Sequence, residues 1–533
     1  MSQNSSKSKK MNLDDACALS VEHLANHGPN DITKETLEMS LINTHKADFT
    51  ADVRAKLNRG GMADMGFKPV QHILTPKNRY VFDYRKAAII DPACLAKYTA
   101  LVLMAADKIE AARIPVSENV VFSYRFAPNG ASIFNKDVGY SAWRQQVKKL
   151  ANDDSCKYVV QCDIASFYDR INIHRVESTL LDIRVDTQLV RQINELLLFW
   201  SKKDSYGIPV GNSASRILSE AALIDIDQYL IAEGVKFARY VDDYRIFAPD
   251  LITAQRWMNS LTTRLFRDGL MLNTGKTVLY VARKEENEQS APVEDSAETI
   301  VKTVTKLTGG YNRIARTFIM PASEKYDAFS KIDINAEADF LKQSRALPEF
   351  EGIQKLIISC LVQQRFDLLE QIAIMCGEYL YSLDYFVDML IKNSEVVPQK
   401  NKNAIADYYA KTVISGGLGS LEWHQATLAS LLSNADYFRK TALIHVVKSA
   451  NKENVTYPSI IALEGLKGKL SRTEFLTIRE WFHRCDDWEK RRIMDASGSL
   501  PDEERRAWGK AIKPTMQNDF FGARMAEDIS RGK

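Results

Sequence analysis

Three aspartates carry the chemistry that this sequence can offer. Asp242 and Asp243 stand together between two short runs, Val235-Lys236-Phe237-Ala238-Arg239 and Tyr244-Arg245-Ile246-Phe247-Ala248. Both runs are rich in aromatic and β-branched residues, and no glycine or proline separates them, so they read as a β-hairpin whose tip holds the acids. Adjacent carboxylates repel and raise each other's pKa unless a cation neutralises them. An ordinary solvated turn is also rich in Asp. Asp163 closes a third run, Tyr158 to Ile164, that is largely apolar but for Gln161. An acid at the end of a buried strand must open into a cleft or find a partner. If these strands are neighbours the three acids meet, and three carboxylates without His or Cys favour hard, oxygen-seeking Mg2+. Two such ions roughly 4 Å apart would activate a 3′-hydroxyl and stabilise a leaving pyrophosphate in an in-line displacement, so nucleotidyl transfer is the reaction such a set suits.

The acids need a scaffold, and the flanking sequence describes one. Residues 1 to 50 combine a polar leader with an amphipathic helix, in which Leu13, Ala16, Cys17, Val21 and Leu24 fall at helical spacing. Short β-like runs, Val70 to Leu74 and Tyr80 to Tyr84, flank Pro76-Lys77-Asn78-Arg79, and Arg85 and Lys86 follow, so four basic residues cluster on one expected hairpin. Ala93 to Ala112 reads as a helix, Val120 to Phe126 as a strand, and Trp143 to Leu150 as a basic helix. After Asp163 come Phe167-Tyr168, a helix through Leu189 to Trp200, a loop from Gly207 to Ser215 and a helix from Arg216 to Ala232. Beyond the acid hairpin lie a helix from Thr253 to Arg267, a turn from Gly269 to Lys276 and a closing strand from Thr277 to Ala282. This order predicts an α+β layer with helices on one face of a small sheet.

Glu285 to Glu298 holds six acids and no basic residue, and reads as an exposed linker. Past it the strand signals almost vanish. Ile353, Leu356, Ile357 and Leu361 mark one helical stripe, and similar stripes continue to residue 484, which predicts an all-α bundle or HEAT-like stack. The expected division is a helical leader (1–65), an α+β domain (66–284), an acidic linker or loop (285–299) and an α-helical C-terminal domain (300–533).

Composition narrows the class further. The chain has 533 residues, too many for one core, and its 45% hydrophobic and 26% charged content is that of a soluble globular protein. The apolar stretch near Ala100 to Ala106 is far shorter than the ~20 residues of a membrane span, and Met1 to Met11 has no apolar segment behind it, as a secretory signal requires. A cytoplasmic protein with no membrane partner is expected. Seven scattered cysteines without a Cys-x-x-Cys pair argue against a disulfide framework or a zinc site and for buried thiols. His23 and His27 share a helical face without a metalloprotease Glu between them, which reads as a solvated face. The formal charge is only +3, but residues 51 to 150 hold 16 Lys and Arg against 8 Asp and Glu. Such an excess is what a phosphate-contacting surface requires.

Taken together, these motifs resemble the reverse transcriptase fingers and palm over about residues 70 to 283. Asp163-Ile164 with Phe167-Tyr168 resembles the first palm motif, and Gly207-Ile208-Pro209-Val210-Gly211 through Ser215 the second. Tyr240-Val241-Asp242-Asp243 is similar to the tyrosine-x-Asp-Asp signature, and Gly269 to Asn273 with Lys276-Thr277 to the motif after it. The resemblance implies that Asp163, Asp242 and Asp243 are catalytic and hold two Mg2+ ions, or Mn2+ in their place. Alternation along a strand makes Asp242 the more direct ligand of the adjacent pair. It implies that Tyr168, five residues after Asp163, is the steric gate against a ribose 2′-hydroxyl. It further implies that Lys276, Arg85 and Lys77 contact the dNTP triphosphate, and that Gly207 and Gly211 keep the loop under the nascent base pair thin.

Val210 and Arg216 depart from the commoner retroelement pattern. The form Ile-Pro-x-Gly with Ser215 and Ile217-Leu218-Ser219-Glu220 resembles the bacterial abortive-infection and defence-associated reverse transcriptases, as does a long helical C-terminal region. That kinship implies antiphage DNA synthesis from dNTPs, RNA-directed or template-independent, with an RNA template or associated non-coding RNA, a single-stranded DNA product and a homo-oligomer. The alternatives are a catalytically silent, RNA-binding scaffold and a palm-fold nucleotidyl cyclase.

Overall fold

Residues 11–29, 37–77, 84–282, 329–336, 349–417, 421–453 and 456–532 are described by a computed structural model of the chain. The acidic run at 285–298 lies outside them. The chain groups into two units. One comprises residues 1–70 and 90–291; the other joins residues 71–89, the antiparallel hairpin of β1 (Gln71–Pro76) and β2 (Tyr84–Ile89), to residues 292–533.

The first unit begins with α1 (Leu13–His27), α2 (Leu37–Thr44) and α3 (Lys46–Leu57), followed by the 21-residue α4 (Pro92–Ala112). Asp91 caps α4 by accepting from the Ala93 N–H at 2.8 Å, and Pro92 stands where a helix needs no donor. Apolar residues lie all around α4, so it is buried along most of its length, which is how such a helix satisfies itself in water. The short hairpin of β3 (Phe126–Asn129) and β4 (Ser132–Phe134) precedes α5 (Tyr140–Ala151) and β5 (Tyr158–Asp163). Then come α6 (Phe167–Arg170), α7 (Ile173–Asp182), α8 (Thr187–Trp200), α9 (Ser213–Ala221) and α10 (Ile224–Ala232). They are followed by β6 (Phe237–Tyr240), β7 (Asp243–Ala248), α11 (Leu251–Arg267) and β8 (Val278–Val281).

β5 to β8 form one antiparallel sheet in the order β6-β7-β5-β8. Val159 and Phe247 are paired and pack with Ala238 and with Trp143 of α5 in one core cluster. Val160, Cys162, Tyr244 and Ile246 point the other way and are also buried, and the Tyr244 hydroxyl donates to Asp227 of α10 at 3.2 Å. Helices therefore contribute to both faces rather than one. The reason is that β5 and β7 are apolar on both sides, the pattern of a strand covered twice.

Two other elements differ from expectation. Of residues 120–126, Val121 pairs only in an isolated bridge to Arg239, and Phe126 already belongs to β3. Tyr124 breaks the run with φ 43°, and the Arg113 guanidinium takes the Ser123 and Tyr124 carbonyls at 2.6 and 3.1 Å. The helix expected over 216–232 starts at Ser213, because Asn212 caps it by accepting from the Ser215 N–H at 2.9 Å. It then divides into α9 and α10, a break that brings Glu220 and Asp227 to one guanidinium, Arg239.

In the second unit β1 packs on a helix of the C-terminal region, where the Gln71 side-chain amide donates to Glu422 at 3.2 Å. The helices are α12 (Phe350–Val362), α13 (Leu369–Glu378), α14 (Leu383–Lys392), α15 (Gln399–Ile414), α16 (Glu422–Ser433), α17 (Lys440–Glu453), α18 (Thr456–Leu466), α19 (Arg472–Arg479), α20 (Asp487–Asp495), α21 (Asp502–Ile512) and α22 (Phe520–Arg531). The stripe Ile353, Leu356, Ile357 and Leu361 is buried. α13 packs on α15, α14 on α16, α15 on α17, α16 on α18, α18 on α20 and α20 on α22. Contact with the next helix but one is the geometry of a stack of helical pairs. Buried arginines join its later members: Arg491 to Asp519 at 2.6 Å and Arg492 to Glu464 at 2.7 Å. All seven cysteines are buried free thiols, and among the described residues no helix is long and apolar enough to cross a membrane.

Candidate active site

The register of β5 against β7 pairs Val159 with Phe247, Gln161 with Arg245 and Asp163 with Asp243. Directly opposed residues of an antiparallel pair share a face, so this face passes from apolar to polar to acidic along β5. α5 covers its apolar end, and the Arg245 guanidinium lies over the Trp143 ring at 5.0 Å. Its acidic end is more open, with the Asp163 and Asp243 side chains 13% and 38% exposed.

Tyr240 pairs with Asp243, leaving Val241 and Asp242 as a two-residue turn. The Ile164 N–H donates to the Asp242 carbonyl at 3.1 Å, which ties this turn to the end of β5. Val241 has φ 57°. A hairpin turn with positive φ at its first central residue favours glycine, and a β-branched residue held there costs on the order of 1–3 kcal/mol. Asp242 lies in this turn rather than in a strand, so alternation does not rank the two acids. Asp243 shares the face of Asp163 by register, and Asp242 stands next to it.

The segment after α11 brings a cation to these acids. The Asn273 N–H donates to the Asp163 carbonyl at 2.7 Å, and the Lys276 ammonium donates to the Asp163 carboxylate at 2.9 Å. Burial works against that ammonium, but its bond to Asp163 and the charges of Asp163, Asp242 and Asp243 hold its pKa above the ordinary lysine value. Burial pushes the Asp243 carboxyl up; Arg245, donating to it at 3.2 Å, opposes this, and the charge of Asp163 reinforces it. Among the described residues no three side chains of His, Cys, Asp or Glu gather at metal-holding spacing. The donor types, three carboxylates and no nitrogen or sulfur, fit a hard divalent cation.

Tyr168 lies in α6, directly after β5, and is 3% exposed. Its hydroxyl accepts from the Ser219 hydroxyl at 3.3 Å, and its ring meets Phe167 edge to face at 5.5 Å. Burial holds the phenol well above its ordinary pKa, and Asp242 is among the charges that reach it. The Ile208 N–H donates to the Tyr168 carbonyl at 3.0 Å, seating the 207–215 loop against α6. Gly207 and Gly211 have φ 93° and 101°, so this loop needs both glycines for its path. His23 is no solvated residue: its Nδ1 and Nε2 lie 2.9 Å from the Ala131 carbonyl and the Ser213 hydroxyl. Burial lowers its pKa to about 4. α1 meets the β3–β4 turn and the start of α9 at that side chain, a contact helical periodicity cannot foresee.

Residues 104–307 match the family described as reverse transcriptase (RNA-dependent DNA polymerase). The chain carries a reverse transcriptase domain. That match spans less than half of the chain, and all three acids, Tyr168, Gly211 and Lys276 fall inside it. No curated protein matches in sequence. Two solved structures are similar at a TM-score of 0.29, too low to argue a shared overall fold. One is telomerase from Candida albicans in complex with a fragment of telomeric RNA, at 13% identity over 67% of this chain and 66% of that one, so the chain spans just under two thirds of it. The other is apo telomerase from Candida tropicalis, at 9% identity over 78% and 74%.

Arg85 and Lys77 precede the residues matched to the reverse transcriptase family. Arg85 pairs with Thr75 in the β1–β2 hairpin, and Lys77 directly follows β1. Both therefore belong to the second unit. Sequence reasoning missed three residues of the reverse transcriptase domain: Asn273 and Arg245, which hold Asp163 and Asp243, and Arg239 behind the turn. One signal was available, since Arg239 is a charged residue inside an otherwise apolar strand that had to be buried.

Proposed function

We propose that the reverse transcriptase domain is an active DNA polymerase that transfers nucleotidyl groups from dNTPs, RNA-directed or template-independent, with Asp163, Asp242 and Asp243 as its catalytic residues. The observation that carries this reading is the register that sets Asp163 opposite Asp243, with Asp242 in the adjoining turn and Lys276 against the carboxylates. Two Mg2+ ions, or Mn2+, held by the three aspartates would activate a 3′-hydroxyl and take up charge on the leaving pyrophosphate. Lys276 keeps its proton beside these acids and offers it to the triphosphate when a nucleotide arrives. Tyr168 bounds the space beside the sugar and crowds a 2′-hydroxyl, and Gly211 allows the loop backbone to approach. For Arg85 and Lys77 the role is triphosphate contact, which rests on the motif resemblance.

The Ile208-Pro209-Val210-Gly211 loop with Ser215, and a helical C-terminal region, support antiphage defence as the setting. The partners would be an RNA template or associated non-coding RNA, a single-stranded DNA product and further copies of this chain, in the cytoplasm. One observation favours a silent, RNA-binding scaffold instead: Lys276 already occupies the Asp163 carboxylate.

Incorporation of dNTPs by the purified chain, with and without added RNA, separates the readings. Activity in the wild type that is lost in Asp242→Asn supports the polymerase; synthesis retained in that variant overturns it. RNA binding without synthesis in the wild type supports the scaffold. Sequencing the co-purifying nucleic acid identifies the template, and loss of plaque reduction in Asp242→Asn links synthesis to defence.

A further inference from the structure

Behind the Tyr240–Asp243 turn lies a set of buried charges that the reaction does not use. Arg239 is fully buried. Its Nε donates to Asp227 at 2.9 Å, its Nη2 to Asp227 at 2.5 Å and to Glu220 at 2.9 Å, and its Nη1 to the Val241 carbonyl at 2.8 Å. Each acid is itself held. Glu220 accepts from Arg113 at 2.7 Å and from the Ser123 hydroxyl at 2.5 Å, and Asp227 from the Tyr244 hydroxyl at 3.2 Å. The backbone of Arg239 is pinned as well, its N–H to the Val120 carbonyl at 2.8 Å and its carbonyl to the Phe122 N–H at 3.1 Å.

Burying such charges is costly, and apolar residues of similar volume often stabilise a core as well or better. Packing alone therefore does not call for this set. A guanidinium is a planar fork of five donors; here the two acids take those on Nε and Nη2 and so orient it, and Nη1 reaches one atom of the chain. That atom, the Val241 carbonyl, swings when the chain turns about the Val241 N–Cα bond, the rotation by which Val241 would leave its positive φ, and it carries the planar Val241–Asp242 peptide with it. We infer that Arg239 is a positioning residue for the acids: it locks the Val241–Asp242 peptide in its strained orientation and so fixes where the Asp242 side chain starts. Asp227 and Glu220 orient the lock. This inference rests on the polymerase reading only for its catalytic consequence; the effect on cation binding does not depend on it.

Arg239→Lys keeps the charge between Asp227 and Glu220 but loses the fork, and Asp227→Asn loosens the same fork more gently. Mn2+ binding to the full chain, followed by electron paramagnetic resonance, is the first readout, with Asp242→Asn identifying the signal from this site. The expected result in the Arg239 variant is weaker Mn2+ binding by about 10-fold, the loss usual when a partner behind a metal ligand is removed. kcat for dNTP incorporation should fall similarly while the dNTP KM stays near that of the wild type. A purely structural role would lower Tm and yield but leave Mn2+ affinity and kcat per folded molecule unchanged, and that result in either variant overturns the inference. If the wild type incorporates no dNTP while its Mn2+ affinity still depends on Arg239, the polymerase reading fails and the positioning role stands.

Discussion

Lys276→Met tests the electrostatics of the site most directly, because it removes the ammonium and keeps the length of the stem. The ammonium lies 2.9 Å from the Asp163 carboxylate, with side chains 56% and 13% exposed. A fully exposed pair contributes ~0.2–1 kcal/mol. One partner here is nearly covered and a second carboxylate lies opposite it, so the loss should sit at the upper end, about 1 kcal/mol after discounting for solvent around the lysine. Urea unfolding in a chelator at low salt and about pH 7 measures it as a lower midpoint at unchanged m-value. Because the folded pKa of Lys276 is raised, its contribution is fully present below the unfolded lysine value of about 10.4 and is lost as pH rises through the folded value. The difference between wild type and variant should therefore be flat near neutrality and close only in strong alkali. In about 1 M salt, where the screening length falls to ~3 Å, it should shrink by half or more. Equal midpoints, or a deficit that salt leaves intact, would refute the charge argument and assign the effect to the stem.

The other consequences can be stated briefly. Tyr168→Ala should admit ribonucleotides and, since the ring is 3% exposed, cost about 3–5 kcal/mol of stability. Tyr168→Phe removes the hydroxyl that Ser219 bonds, about 1 kcal/mol for that bond, and should keep its sugar selectivity; unchanged selectivity in the alanine variant would remove the gate. His23 has a folded pKa of about 4, below its unfolded value near 6.5. Its contribution is present above the unfolded value and is lost as pH falls through the folded one, by about 3 kcal/mol. Urea midpoints measured across that interval should fall less steeply in His23→Gln than in the wild type.

Much of the fold was readable because its signals are local. The apolar run of β5, the aromatic and β-branched arms of the acid hairpin, and the glycines of the 207–215 loop each state their conformation within a few residues. The helical stripes beyond residue 350 do the same at a period near 3.6. Where reading failed, the deciding contact came from elsewhere in the chain. Residues 120–126 have strand composition, yet Arg113 draws off two of their carbonyls. His23 sits on a regular amphipathic helix, yet the far side of its contact is Ala131 and Ser213.

The sequence by itself determined the reactive groups, because the types and order of Asp163, Tyr168, Gly211, Asp242, Asp243 and Lys276 follow directly from the chain. Tertiary structure decided how those groups stand to one another. Register between two distant strands set Asp163 against Asp243 rather than Asp242, and a turn after α11 delivered Lys276 to them. A buried guanidinium, three residues before Asp242 but oriented by acids on α9 and α10, took hold of the strained turn. Strand register and the orientation of a buried charge are properties of pairs of segments, and neither segment encodes them alone.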